Sequence, residues 1–206
     1  MEIRYAVAPC PLGRLLVAAT ERGVAAVYLG ESERKLRSEL GREFPAAQIR
    51  EDRKGLGRTV AAIGEHLRGR EARLDLPLDV QATAFQRRVW KELRQIPYGA
   101  TRTYSEIARA IGRPRATRAV ARACATNPAA VVIPCHRVVG KDGALTGYRW
   151  GLGRKRALLD MERAALQPRG AAAPPRRAKK PRSHHSAQPE SAHVRTIKAK
   201  RFAKIR

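Results

Sequence analysis

The spacing of apolar residues changes near residue 80, and that change limits the folds open to this chain of 206 residues. Three short apolar runs, R-Y-A-V-A, R-L-L-V-A-A-T and G-V-A-A-V-Y-L-G, open the chain and are separated by P-C-P-L-G and E-R-G. Such runs between turn residues predict antiparallel strands. Further on, Phe85, Val89, Trp90, Leu93 and Ile96 recur at helical intervals, which predicts a buried helical face. The two patterns together indicate an α+β fold.

The same patterns divide the chain into three parts. Residues 1–80 are predicted to form an α/β domain with helices at Glu31–Leu40 and Val60–Leu67, followed by an extended link because Pro77 disfavours helix. Residues 81–166 are predicted to form a mostly helical domain. Residues 167–206 combine Pro, Ala, Ser and basic residues with few apolar ones. We expect this tail to be disordered, because it cannot bury enough apolar area to offset its chain entropy.

The formal net charge of +25 points to a polyanionic partner. A large positive field attracts nucleic acid and makes the association sensitive to salt. A membrane surface is the second possibility, although no apolar run approaches the roughly 20 residues that span a bilayer. The basic tail is predicted to bind phosphates non-specifically, and the alternative is a solubilising extension.

Cysteine usage favours a reducing compartment without metal. Cys10, Cys124 and Cys135 are too few and too widely separated to form a disulfide framework, and the chain has no C-x-x-C pair for zinc. The amino terminus lacks the basic-then-apolar layout of a secretory signal. We therefore expect a cytoplasmic protein, associated with the nucleoid, that uses no cofactor.

Two helices joined by a short turn follow Thr103. The segments T-Y-S-E-I-A-R-A-I-G and R-P-R-A-T-R-A-V-A-R-A-C-A-T-N are typical of a helix-turn-helix. Small side chains would let the second helix approach a DNA groove, while arginines reach phosphates or enter the base stack. The alternative is an alanine-rich, solvated helix. The residues predicted to contact DNA are Arg115, Arg118 and Arg122, expected on one face, with Ala116, Thr117, Ala119 and Ala121 beside them.

The segment V-V-I-P-C-H-R-V-V-G poses the chemical question. Cys135 could be an inert buried thiol, a metal ligand or a nucleophile. A nucleophile must lose its proton, since a free thiol is mostly protonated at neutral pH. In an extended strand His136 would point to the opposite face, so it would have to act through a water or from a turn, with a carboxylate to orient it. By itself the Cys-His pair is weak support, and an inert thiol is the commoner case.

The surrounding residues carry a family resemblance. P-C-H-R, preceded by R-A-V-A-R-A-C-A-T-N and followed by G-A-L-T-G-Y-R-W-G, resembles the O6-alkylguanine-DNA alkyltransferases, and is closest to the carboxy-terminal repair half of bacterial adaptive-response proteins. I-R-Y-A-V-A, F-P-A-A, L-P-L-D and T-A-F-Q-x-x-V-W extend the likeness over about residues 2–165. The resemblance implies a ribonuclease H-like α/β domain, followed by a winged helix-turn-helix-like alkyltransferase domain.

The resemblance also implies an activity, the irreversible transfer of an alkyl group from guanine O6, and possibly thymine O4, in double-stranded DNA to Cys135. His136 would take the thiol proton through a water, and Glu162 would orient His136. The helix-turn-helix would lie in the minor groove, and the damaged nucleotide would be extruded from the duplex, which costs a few kcal/mol. The other implied roles are a donor to guanine (Tyr104), a loop support (Asn127), an intercalating arginine (Arg118), a pocket lining (Val138 and Tyr148) and a ring at the pocket rim that narrows access (Trp150).

Three other functions fit parts of the sequence. A lesion sensor without transfer would not need Cys135. A helix-turn-helix transcription factor leaves P-C-H-R and Glu162 without a purpose, and a metal-binding role is poorly supported. Since the chain begins where the repair half would begin, we expect neither the zinc domain nor the activator module of the adaptive-response proteins. The implied protein acts as a monomer.

Overall fold

The computed structural model describes residues 1–70 and 73–167, so the predicted disordered tail lies, from residue 168 onward, outside the described residues. Strands dominate the first third of the chain and helices the later described residues, up to 167, as predicted for an α+β fold. The strands are β1 (Glu2–Cys10), β2 (Gly13–Ala19), β3 (Val24–Gly30), β4 (Gln48–Glu51), β5 (Arg102–Thr103) and β6 (Val138–Val139). The helices are α1 (Glu33–Glu43), α2 (Gly57–Leu67), α3 (Ala84–Arg94), α4 (Tyr104–Ala110), α5 (Thr117–Ala125) and α6 (Leu152–Leu166).

The amino-terminal sheet has the strand order β3-β2-β1-β4. The three strands predicted from the apolar runs are antiparallel neighbours, with Tyr5 opposite Ala18 and Val17 opposite Val27. Strand β4 pairs in parallel with β1 and has no apolar run of its own. Helix α1 packs on β2 and β3, and helix α2 on β1 and β2. The sheet and its two helices therefore build the amino-terminal part of one apolar core that continues into the helical part.

Strand β3 joins this sheet to the segment that follows α5. Val27 N–H donates to the Pro128 carbonyl at 2.9 Å, and Ala130 N–H donates to the Val27 carbonyl at 3.1 Å. These bonds cover an edge that would otherwise present unpaired backbone groups. The segment that leads to Cys135 is thereby fixed to the amino-terminal sheet.

Local capping signals set the starts of α3 and α4. Thr83 and Gln86 form a capping box at α3, and Thr103 and Glu106 form one at α4. Of the face predicted on α3, Phe85 is half-buried, and the buried members are Val89, Trp90 and Leu93, together with Ile96 beyond the helix end. The Trp90 indole donates to the Ala123 carbonyl at 2.9 Å, which holds α5 against α3.

Helices α4 and α5 form the predicted helix-turn-helix, but α5 is shorter than expected. Gly112, at φ +71°, ends the first helix, and the turn occupies the residues up to Ala116. Arg115 and Ala116 therefore lie before the helix, because the first helical hydrogen bond runs from Val120 N–H to the Ala116 carbonyl. The single-face arrangement predicted for Arg115, Arg118 and Arg122 is wrong for Arg115.

No helix within residues 1–70 and 73–167 is both long and apolar enough to cross a membrane.

Candidate active site

Cys135 lies at the start of a 3₁₀ turn, Cys135–Arg137, and not in the extended strand that its apolar flanks suggested. Pro134 precedes the turn, and Arg137 N–H closes it on the Pro134 carbonyl at 3.0 Å. The segment before it is tightly folded, with Val131 held at φ +71°. That conformation costs a β-branched residue about 1–3 kcal/mol, and it persists only where surrounding contacts impose it.

Asn127 supplies those contacts. Its side-chain amide donates to the Ile133 carbonyl at 2.8 Å and to Cys135 Sγ at 3.1 Å, and its Oδ1 accepts from Ala129 N–H at 3.0 Å. Asn127 is itself only 1% exposed. The residue predicted to support this loop thus bridges both ends of it and also contacts the sulfur.

His136 and Arg137 both reach Glu162 on α6. His136 Nε2 lies 2.7 Å from Glu162 Oε1. Arg137 donates to both carboxylate oxygens at 2.9–3.0 Å and to the Ile96 carbonyl at 2.8 Å. Glu162 Oε2 also accepts from Gly99 N–H at 2.9 Å. All three side chains are buried, so the carboxylate is enclosed by donors from two segments, the Cys135–Arg137 turn and the connection after α3.

These donors determine the charge of Glu162. Burial opposes ionisation, but the hydrogen bonds and charges from His136 and Arg137 outweigh it and lower the pKa of Glu162 to about 2. An ionised carboxylate can only accept hydrogen bonds. His136 Nε2 must therefore carry the proton that Glu162 accepts.

The tautomer of His136 follows from this arrangement. Burial lowers the pKa of His136 more than Glu162 raises it, so the ring is neutral at pH 7. A neutral ring with its proton on Nε2 has a lone pair on Nδ1, and within the described residues Nδ1 has no hydrogen-bond partner. His136, the residue next to Cys135, can therefore accept a proton at Nδ1.

Cys135 rests as a thiol. Burial raises its pKa, and the Asn127 hydrogen bond and the Lys155 charge oppose that rise without cancelling it. The side chain is nearly enclosed, with the residue 5% exposed. A reaction at Sγ therefore needs a base, and His136 Nδ1 is suited to that task.

Lys155 is a buried cation near the sulfur that sequence reasoning missed. Its ammonium donates to the carbonyls of Val138 and Thr146 at 2.6 and 2.8 Å, and to Gly147 O at 3.4 Å. It also lies 5.8 Å from the centre of the Tyr104 ring. Burial lowers its pKa, while Cys135 and Cys124 favour its charged form. The charge of Lys155 favours a thiolate once the proton has left.

Arg137 was also missed as a site residue. Its position carried a signal, since Arg137 is followed directly by the apolar pair Val138 and Val139, and an arginine in an apolar segment is buried only when paired. The sequence could not identify Glu162 as its partner, because 25 residues separate the two.

A groove of about 730 Å³ lies between α5, the start of α4 and the loop after β6. Its α5 wall carries Thr117, Arg118, Ala121 and Arg122. The opposite residues are Thr103, Tyr104 and Ser105 at α4, and Gly140, Lys141, Thr146 and Gly147 in the loop. The groove therefore combines small side chains with cations on two of its walls. Of the other residues predicted to contact DNA, Ala119 is exposed on α5 but does not line the groove.

Of the residues predicted to form the pocket, Tyr104 lines the groove, whereas Val138 and the Tyr148 hydroxyl are buried. Tyr104 lines the groove, and its hydroxyl donates to the Thr146 carbonyl at 3.3 Å. Val138 is fully buried with its carbonyl bound by Lys155. The Tyr148 hydroxyl is buried and has no hydrogen-bond partner among the described residues. Burial raises the pKa of this hydroxyl, and Cys135 adds to that rise.

Trp150 is not at the pocket rim. Its ring stacks on Tyr28 of β3 with centroids 4.9 Å apart, and the residue is only 7% exposed. It packs into the amino-terminal core, because the chain turns between Tyr148 and Gly151 and directs the ring towards β3. The expectation that Trp150 narrows access to the pocket is therefore corrected.

Within the described parts of the chain, no group of three or more His, Cys, Asp or Glu side chains could hold a metal ion.

Comparison with known proteins gives matches over both halves of the chain. The family model described as "6-O-methylguanine DNA methyltransferase, ribonuclease-like domain" matches residues 3–80, and its "DNA binding domain" matches residues 84–164. The "Bifunctional transcriptional activator/DNA repair enzyme Ada" of Escherichia coli (strain K12) is 50% identical over 162 residues, which is 79% of this chain. The chain spans only 46% of Ada.

Two further matches cover nearly the whole of the other protein. The methylated-DNA--protein-cysteine methyltransferase of Methanosarcina barkeri is 41% identical over 79% of this chain and 99% of its own length. A crystal structure of the Mycobacterium tuberculosis methyltransferase OGT in complex with DNA is 37% identical, with a TM-score of 0.66 over 80% of this chain and 94% of that one.

The Glu162 carboxylate predicts an acid-dependent loss of stability. Its folded pKa of about 2 lies below the reference value of 4.5, so its contribution is fully present above about pH 4.5 and is lost as the pH falls towards 2. The loss should be on the order of 3 kcal/mol. Urea unfolding of Glu162→Gln should show lower stability at pH 7 and a shallower decline between pH 4.5 and 2.

The matched control is Asp160→Asn, which changes an exposed carboxylate on the same helix. It should keep both the stability and the acid slope of the unchanged protein, since exposed pairs contribute about 0–1 kcal/mol. An unaltered acid slope in Glu162→Gln would contradict the assignment of the buried charge.

Proposed function

Because this chain belongs to the 6-O-methylguanine DNA methyltransferase family, we propose that it repairs DNA by moving an alkyl group from guanine O6 to its own Cys135. The observation that carries the proposal is the hydrogen bond from His136 Nε2 to the ionised Glu162, which leaves Nδ1 free to accept a proton beside a buried thiol. A sensor that only binds lesions has no use for this arrangement.

The chemistry is a displacement at the alkyl carbon. His136 Nδ1 takes the Cys135 proton through a water, and Sγ forms a bond to carbon as the bond from carbon to O6 breaks. The electron pair of that bond goes to the guanine. The product is a stable thioether, so each molecule acts once and no cofactor takes part. Asn127 and Lys155 favour the sulfur anion during the step, through a hydrogen bond and a nearby charge.

The leaving guanine needs a proton or a hydrogen-bond donor. Tyr104 lines the groove, and its hydroxyl now donates only to the Thr146 carbonyl, at the long distance of 3.3 Å. We assign it to the guanine ring. We assign Tyr148 and Val138 to the neighbouring wall of the pocket, with the Tyr148 backbone at the O6 edge. Thymine O4 offers similar chemistry in a smaller ring.

Double-stranded DNA binds through the helix-turn-helix in this proposal. The exposed face of α5 presents Arg118, Ala119 and Arg122, with Ala121 half-exposed between them, so the helix can approach a shallow minor groove. Arg118 fills the space left by the extruded nucleotide, and Arg115 contacts phosphate from the turn. The complex of the M. tuberculosis relative with DNA supports this use of the fold.

We assign residues 1–80 to a ribonuclease H-like domain and residues 81–166 to a winged helix-turn-helix-like alkyltransferase domain. The family models support this division, because one ends at residue 80 and the other begins at residue 84. The two-stranded sheet of β5 and β6 beside α4 supports the winged form. Transcriptional activation remains a property of Ada, since more than half of that protein has no match here.

The proposal also covers the role of the basic tail and the cellular location of the protein. Residues 167–206 hold twelve Lys and Arg residues and one acid, which suits a non-specific tether to phosphates. A protein that repairs chromosomal DNA would act in the cytoplasm at the nucleoid, as a monomer.

Cys135→Ala should abolish transfer and keep affinity for duplex containing O6-methylguanine. His136→Ala should transfer at least about 100-fold more slowly than the unchanged protein, since a positioned base contributes about 10² to 10⁴. Intact-mass spectrometry after incubation with the lesion duplex measures both, with the added methyl mapped to the peptide containing Cys135. Cys124→Ala, which alters another buried thiol, should still accept the methyl. A methyl found on any other residue would refute the mechanism.

Arg118→Ala should weaken extrusion of the damaged nucleotide more than it weakens binding to undamaged duplex. Arg122→Ala is the matched control, since Arg122 lines the same α5 wall of the groove and is assigned only to phosphates. Fluorescence of 2-aminopurine beside the lesion reports extrusion, and anisotropy reports affinity. Equal effects of the two substitutions on both measurements would contradict the proposal that Arg118 fills the space left by the extruded nucleotide.

Deletion of residues 168–206 should reduce the salt dependence of DNA affinity, because it removes twelve cations that displace counterions from DNA. The transfer rate at saturating DNA should stay unchanged, since the site is built from earlier residues. A variant that keeps the tail but replaces its Lys and Arg residues by Gln separates the effect of the tail's charge on DNA affinity from the effect of its length. A lower saturating rate after deletion would show that the tail takes part in the reaction.

A further inference from the structure

The loop between β6 and α6 forms one wall of the groove and has little regular structure. Apart from a 3₁₀ turn at Lys141–Gly143, residues 140–151 make few internal backbone bonds. Gly140 N–H donates to the Ala144 carbonyl at 2.7 Å, and Lys155 binds the Thr146 carbonyl. These contacts fix the first part of the loop. Something else must fix Tyr148, which follows them.

Tyr148 begins a tight turn whose central residues point away from the groove. Gly151 N–H donates to the Tyr148 carbonyl at 3.0 Å, so Arg149 and Trp150 occupy the two central positions. Consecutive Cα atoms are 3.8 Å apart. A contact that holds the centre of this turn therefore also fixes the place of Tyr148.

Arg149 makes that contact with helix α1. Its Nη2 donates to Glu39 Oε1 at 2.8 Å and to Glu43 Oε2 at 2.5 Å. Its guanidinium also lies 5.1 Å from the Tyr28 ring centre and 4.8 Å from that of Trp150. The planar group is thus held between two rings and two carboxylates, which lysine could not reproduce.

The acidic side of this contact is itself held in place. Tyr28 OH donates to Glu43 Oε2 at 2.6 Å, and the Tyr28 ring stacks on Trp150. The Arg149 side chain is 22% exposed, against 60–79% for the side chains of Arg22, Arg50 and Arg163 in surface pairs. Shielding from solvent strengthens the attraction between the two charges relative to that in exposed pairs.

We propose that Arg149, Glu39 and Glu43 form a positioning clamp that fixes Tyr148 in the substrate pocket from the amino-terminal domain. The proposal rests on the function proposed above. Arg149 touches no reacting atom, so it is a positioning residue. The clamp gives α1 a part in the reaction, although no residue of α1 lines the groove.

The clamp should affect both rate and selectivity. A displacement needs sulfur, carbon and O6 in line, and a shift of about 1 Å can slow such a reaction about 100-fold. A fixed Tyr148 also limits the width of the pocket, a task that Trp150 does not perform directly. Releasing the clamp should therefore slow methyl transfer and reduce the preference for methyl over benzyl adducts.

The test compares Arg149→Met, Arg149→Lys and the double variant Glu39→Gln/Glu43→Gln in the full-length protein. Single-turnover rates are measured at saturating O6-methylguanine duplex and with O6-benzylguanine, beside the dissociation constant for the duplex. Arg149→Met should lower the saturating methyl rate at least about 10-fold, leave the dissociation constant within about two-fold, and lower the benzyl rate by a smaller factor. Arg149→Lys should fall between the Met variant and the unchanged protein.

Coupling between the partners distinguishes the clamp from a general loss of stability. Adding Arg149→Met to the double glutamine variant should cause little further loss of rate, because both changes break the same contact. Arg4→Ala is the matched control, since Arg4 forms a half-buried pair with Asp52 in the same domain, and it should lower stability without changing the saturating rate. A methyl rate in Arg149→Met equal to that of the unchanged protein would overturn the clamp, as would independent, additive losses.

A readout that needs no transfer separates this proposal from the proposed function. Hydrogen exchange of peptides covering residues 140–151 should become faster in Arg149→Met and stay unchanged in Arg4→Ala. If the unchanged protein never acquires a methyl group, the proposed function fails, while exchange still reports on the clamp. If transfer occurs and Arg149→Met leaves loop exchange unaltered, the clamp fails and the function stands.

Discussion

The buried carboxylate of Glu162 is the charge on which the site depends. A carboxylate removed from water is strongly destabilising unless donors surround it. Here His136, Arg137 and Gly99 N–H supply them, from the turn at the nucleophile and from the connection after α3. Because the ionised group can only accept, it fixes the proton of His136 on Nε2 and leaves a lone pair on Nδ1. One interaction therefore holds three segments together and determines their chemistry.

Two other contacts, from Asn127 and Lys155, act on the protonation state of the Cys135 sulfur. Burial raises the pKa of Cys135, so the thiol keeps its proton at rest. Asn127 donates to Sγ, and Lys155 adds a positive charge whose hydrogen bonds go to backbone carbonyls and not to a carboxylate. The charge of Lys155 is thus not neutralised by an acidic partner among the described residues. The surroundings favour the anion only when a base removes the proton, which suits a thiol that reacts once.

Features set by neighbouring residues could be predicted from the sequence, and those set by distant ones could not. The Thr83–Gln86 and Thr103–Glu106 capping boxes and the apolar runs of β1–β3 are local signals, and those elements were predicted. Strand β4 was not, because four mostly exposed residues pair only once β1 is in place.

The same division holds at the site. The flanks of Cys135 favour a strand, but Pro134 and the long-range bonds of Asn127 impose a turn. The resemblance identified His136 and Glu162 without showing that Arg137 joins them. The residue type of Trp150 gave no sign that its ring would pack on Tyr28.

In the proposed reaction, the amino-terminal sheet provides the fixed reference for both the nucleophile and the pocket wall. Val27 holds the segment that leads to Cys135 through two backbone bonds, and Arg149 ties the loop carrying Tyr148 to α1. The sulfur and the pocket wall are thus anchored to neighbouring parts of one rigid core, through Val27 and Tyr28, adjacent residues of β3. A displacement depends on the distance between nucleophile and substrate more than on either position alone. In the proposed function, anchoring both to one strand would keep that distance constant.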